Sequence, residues 1–139
     1  MTASSVSVSS RGRTLAIALV AVVVAALAAT ASALIALAAG AAPAFGPLQP
    51  PVYLSFAVLG TLAAIGGWVL VVRRVRNSAR VLGILVPVLL VLSLVPDVVL
   101  LMTGFIPGTT VAGVVGLMVM HPIVAAVAVV AGRMIAPPR

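Results

Sequence analysis

Two side chains in this 139-residue sequence are equipped for proton chemistry inside an apolar setting: Asp97, its single acidic residue, and His121, its single histidine. Both lie in the stretch from Ser93 to His121, within long apolar runs. A carboxylate in hydrocarbon costs roughly 2.5 to 3.5 kcal/mol on insertion scales, so something is expected to hold it there. Ser93 stands one helical turn before Asp97 on the same face, since positions i and i+4 are neighbours on a helix. The three residues suit two roles. One is a proton-responsive pair, or a small polar niche for a proton or cation, as in a minimal transporter or channel. The other is a buried hydrogen bond that clamps two helices, worth on the order of 1 kcal/mol in a membrane. The clamp is favoured, because two titratable groups without further polar lining make a poor pathway.

Enzymatic chemistry is not expected. There is no second carboxylate for acid–base work, no two-His or Cys/His set for a metal, and no cysteine for thiol chemistry. No catalytic residue, metal or cofactor is therefore assigned. Composition points away from water: 64% of the residues are hydrophobic and 6% charged, far too little polar surface for a soluble fold of this length. The formal charge of +7 does not indicate nucleic acid, because the arginines fall in short clusters between apolar segments rather than along one basic face.

The elements that must position the pair are four apolar spans, at about residues 14–40, 52–72, 81–103 and 110–135. Each is long enough, at 1.5 Å per residue, to cross a hydrocarbon core of about 30 Å. Residues 1–13 read as a flexible cytoplasmic tail, 14–136 as the transmembrane domain and 137–139 as a second short tail. The expected fold is all-α: an integral membrane bundle of four helices in two antiparallel hairpins. The first span also fits a secretory signal, with Ala29-Thr30-Ala31-Ser32-Ala33 as the cleavage region. Against that, the apolar run continues through Leu34, Ile35 and Leu37. Small residues recur every fourth position at Ala21, Ala25, Ala29 and Ala33, and again at Ala28, Ser32, Ala36 and Gly40. Such rows let helix backbones approach closely in lipid. Gly60 with Ala64, and Ala63 with Gly67, repeat the spacing in the second span.

Residues 41–51 hold four prolines and no charge, which reads as a stiff connector more than as an external lid. Tyr53 and Trp68 stand near opposite ends of the second span, where amphipathic rings settle at headgroup level, and are expected as interfacial anchors. Pro87, Pro96 and Pro122 fall inside the last two spans and are expected to kink them. Pro96 and Pro122 lack amide donors, so the carbonyls of Leu92 and Met118 are freed beside the two ionisable residues.

Arg11 and Arg13 precede the first span; Arg73, Arg74, Arg76 and Arg80 lie between the second and third; Arg133 and Arg139 close the fourth. The other two connections carry none. The positive-inside rule then puts both termini and the Arg73–Arg80 loop in the cytoplasm. Anionic lipid headgroups at the cytoplasmic face are expected partners, at about 1 kcal/mol per arginine near the surface. A homo-oligomer or a second membrane protein is a further candidate partner.

The elements LSLVPD (Leu92 to Asp97), the short Gly/Thr-containing turn and GLMVMH (Gly116 to His121) with its Ala/Val-rich tail resemble an uncharacterised family of small actinobacterial four-span membrane proteins, a domain-of-unknown-function family. The resemblance covers most of the chain and is concentrated in its second half. It implies an all-helical, multi-pass protein of a bacterial inner (plasma) membrane and assigns no activity.

Overall fold

The structure, a computed structural model, describes residues 10–139. Most of the expected tail, residues 1–9, lies outside the described part. Four helices follow in chain order: α1 (Ser10–Ala38), α2 (Pro50–Arg74), α3 (Ser78–Thr103) and α4 (Val111–Ile135). The described residues contain no strand. All four helices are long and apolar enough to cross a membrane.

The first three helices run past the expected spans at their arginine-bearing ends. α1 already starts at Ser10, so Arg11 and Arg13 are helical; α2 continues through Arg73 and Arg74. Cations in the last turn of α2 meet the negative end of its dipole, which favours that extension. Asn77 caps α3 by accepting from the Arg80 amide at 3.4 Å, leaving only residues 75–77 between α2 and α3. At the far end of α3, Gly104 takes the left-handed conformation at φ 60° and donates to the Leu100 carbonyl at 2.8 Å. Thr110 then caps α4 through its side chain, accepting from the Gly113 amide at 3.1 Å.

α4 is the central helix, packed on α1, α2 and α3, and α1 also packs on α2. Small residues face inward and large ones outward. Ala21, Ala25, Ala29, Ser32, Ala33 and Ala36 of α1 are buried, while Leu15, Leu19, Val23, Leu27 and Ile35 are exposed. That inversion is the physics of lipid: greasy side chains gain nothing by hiding from acyl tails, so close backbone contact and dispersion hold the helices together. Gly116 of α4 sits where its own Cβ would come within 2.6 Å of Ala36 Cβ, and the Ser32 hydroxyl donates to the Gly116 carbonyl at 2.9 Å. α1 runs unbroken through the stretch that fits a signal cleavage region, with Ser32 and Ala33 buried in the bundle.

The proline-rich connector is more than a spacer. It contains a short 3-10 turn at Gly46–Leu48, and it sends Phe45 fully into the core. The Phe45 ring lies so close to Gly113 that a Cβ there would stand 3.0 Å from it, and Gly108, at φ 80°, passes against the Phe45 backbone.

Tyr53 and Trp68, expected as interfacial anchors, both turn into the bundle: they are buried on the inward stripe Tyr53–Ala57–Thr61–Ile65–Trp68–Val72 of α2. The Tyr53 hydroxyl donates to Thr30 Oγ1 on α1 at 3.3 Å. Trp68 packs across Gly132, and its indole N–H donates to the Ala136 carbonyl at 2.9 Å, closing the end of α4. An aromatic ring with one polar atom suits a helix seam as well as a membrane surface, provided that atom finds a partner, and here both do.

Candidate functional site

α3 is the least enclosed of the four helices and packs chiefly on α4. Its buried residues are only Ser78, Leu82, Asp97 and Leu100, and it meets α2 weakly compared with α4. A cleft of about 810 Å³ therefore opens between α2 and α3, with α4 as its floor. Gly60, Ala63, Ala64 and Gly67 of α2 line this cleft and are exposed, so the small-residue spacing noted in the second span is not a packed seam. A Cβ on Gly67 would meet nothing within 4 Å.

Asp97, His121 and Ser93 all line the cleft. The structure brings the first two together: Asp97 Oδ2 lies 3.3 Å from His121 Nδ1, joining α3 to α4. The contact is an ion-pair approach without hydrogen-bond alignment. His121 Nδ1 also lies 3.0 Å from the Leu117 carbonyl oxygen one turn back on its own helix. One ring nitrogen carries at most one proton and cannot serve both oxygens. Asp97 Oδ2 is consequently buried with no hydrogen-bond partner. An orphaned buried acceptor costs roughly 1 to 3 kcal/mol, so this atom is the least comfortable polar atom of the cleft.

Ser93 does not join the pair. Its hydroxyl donates to the Leu90 carbonyl at 2.7 Å, within its own helix. The freed carbonyls of Leu92 and Met118 are also passed over, since Ser93 and His121 turn to Leu90 and Leu117 instead. Pro87 and Pro96 lie inside an unbroken α3, and Pro122 inside an unbroken α4. Arg11, Arg13, Arg73, Arg74, Arg76, Arg80 and Arg133 all sit near or beyond helix ends, and all seven are exposed.

At this site the feature that the sequence does not signal is the cleft itself. Nothing in the apolar pattern of α3 distinguishes a helix packed on two neighbours from one packed on a single neighbour.

Four helices long and apolar enough to cross a membrane, two of them joined by an Asp–His contact, fit a small integral membrane protein. The family model for the family of unknown function DUF6069 matches residues 9–136, and the chain belongs to that family. No curated protein and no solved structure matches it.

Proposed function

We propose that the protein is a non-enzymatic accessory bundle of the membrane, in which Asp97 and His121 fasten α3 to the α1/α2/α4 core. The observation that carries this reading is the sparse burial of α3, whose one polar link to α4 away from the loops is the 3.3 Å approach of Asp97 to His121. A polar contact in lipid is worth about 0.6 to 1.7 kcal/mol, enough to bias a helix with few other anchors. Asp97→Asn keeps an acceptor at this position, so a fastening role predicts a bundle of nearly parental stability in that variant. Asp97→Leu leaves His121 without it and should loosen α3, read as faster exchange of α3 amides.

A second reading, a minimal proton- or cation-coupled transporter, is favoured by one specific feature: the unpartnered Oδ2 beside a cleft of about 810 Å³. Flux driven by a pH gradient in proteoliposomes separates the two. Transport that disappears in Asp97→Asn and His121→Ala supports the second reading; no flux in an intact bundle removes it.

The orientation belongs to the same proposal. Arginines gather at the ends of the helices that bear the chain termini and the α2–α3 loop, which supports a topology with both termini in the cytoplasm of a bacterial plasma membrane. A reporter fused near Asn77 that reads as external would overturn it.

A further inference from the structure

A second cavity lies at the opposite end of α3 from Asp97, against the loop that joins α2 to α3. It measures about 260 Å³ and is lined by Arg73, Arg74, Arg76 and Arg139 together with Val72 and Val75. Three of these arginines are near one another in sequence. The fourth arrives by a main-chain device: the Ala79 amide donates to the Arg139 main-chain oxygen at 2.9 Å, and the Arg139 amide donates to the Ser78 hydroxyl at 2.9 Å. Ser78 is fully buried by this docking. The segment after α4 is thereby held on the first turn of α3, and the Arg139 side chain joins the wall of the cavity.

None of the four guanidinium groups has a hydrogen-bond or ion-pair partner among the described residues, where the one ion pair is that of Asp97 with His121. Asp97, the sole acid of the chain, is 19 residues along α3 from Ser78, or about 28 Å away. Four guanidinium groups around one cavity repel each other, and no acidic side chain lies near them. Guanidinium groups match phosphate oxygens in bidentate pairs, so an anion with several oxygens would relieve the repulsion and fill the space.

We propose that this cavity is a binding site for one phosphate group, held by Arg73, Arg74, Arg76 and Arg139. The group is either the phosphomonoester of a lipid headgroup or a free phosphate. The site is independent of Asp97 and His121, and it differs from general attraction of a basic loop to a charged surface because it depends on where Arg139 is docked.

The full chain in nanodiscs of neutral phosphatidylcholine supplies the test, with phosphatidic acid doped into the bilayer in one arm and inorganic phosphate added to the buffer in the other. Binding is read by native mass spectrometry and by phosphorus NMR. Arg139→Ala should weaken binding about tenfold, the loss expected for one charge-assisted contact. Ser78→Ala changes no charge yet loosens Arg139 by removing one of its two anchor points, and should weaken binding about threefold. Arg80→Ala removes the same charge from the adjoining first turn of α3 but not from the cavity wall, and should change binding less than about twofold. Where Ser78→Ala impairs folding, Arg139→Lys replaces it, since a retained charge without the guanidinium fork should still weaken binding. Retention of phosphatidic acid with this order of effects assigns a lipid headgroup. Binding of inorganic phosphate with the same order and no preference for the lipid assigns the free ion. Equal losses in Arg80→Ala and Arg139→Ala with an unchanged Ser78→Ala, or no binding in either arm, overturn the proposal.

Discussion

Gly116 of α4 and Ala36 of α1 meet so closely that a Cβ on the glycine would lie 2.6 Å from the alanine Cβ. Neither side of that contact is a flexible side chain, so the helices themselves would have to part. Gly116→Ala should therefore cost roughly 1 to 3 kcal/mol, as overpacking of a tight interior does. Gly67→Ala, at the same kind of small-residue spacing but facing the open cleft, should be nearly neutral. Unfolding titrations in mixed micelles compare the two, and equal effects would mean that the α1–α4 seam is not where the bundle is held.

Trp68 is the only tryptophan, which makes its position directly readable. Buried against Gly132, it should emit at short wavelength and resist quenching by aqueous iodide or acrylamide, unlike a ring at headgroup level. Trp68→Phe keeps most of the packing and loses the N–H donated to Ala136, at a cost of about 1 kcal/mol. Trp68→Ala should cost about 3 to 5 kcal/mol. Thermal melts in detergent would rank the two.

Phe45→Ala should destabilise the protein far more than a change in an ordinary linker does. Removing a fully buried aromatic ring leaves a hole against Gly113, and such deletions cost about 3 to 5 kcal/mol. Pro47→Ala, in the same connector, should cost a small fraction of that. Cleavage of the connector by an added protease gives an independent reading, with Phe45→Ala cut faster than the parent.

The coupling between Asp97 and His121 can be measured without assuming what it is for. A double-mutant cycle of Asp97→Leu and His121→Ala should return about 0.6 to 1.7 kcal/mol if the 3.3 Å approach contributes to stability. A coupling indistinguishable from zero would show that the two side chains are neighbours without being partners.

The four helices were legible because hydropathy and arginine placement need only the order of residues along the chain. The meeting of Asp97 with His121 was open from the sequence, since the short connection after Thr103 sets the two at similar depths without fixing how α3 and α4 are rotated. Rotation is also why Tyr53 and Trp68 were misread. Their distance from the helix ends suggested the membrane surface, but which way a ring faces shows only through contrast with a polar face, and an apolar helix has none. The inward stripe from Tyr53 to Val72 became visible only with its neighbours in place. Phe45 gave no signal at all, as one aromatic residue among prolines. The docking of Arg139 on Ser78 and Ala79 runs through main-chain atoms, which no residue pattern records.

The position of Phe45 decides by what route anything could traverse this protein. With Phe45, Val114, Ala25 and Thr61 each sealed from the outside, the α1/α2/α4 trio has no bore, and its connector end is corked. Traffic across the membrane, if this molecule supports any, must slip sideways along the flank between α2 and α3, with acyl chains for company, rather than fall through a central shaft.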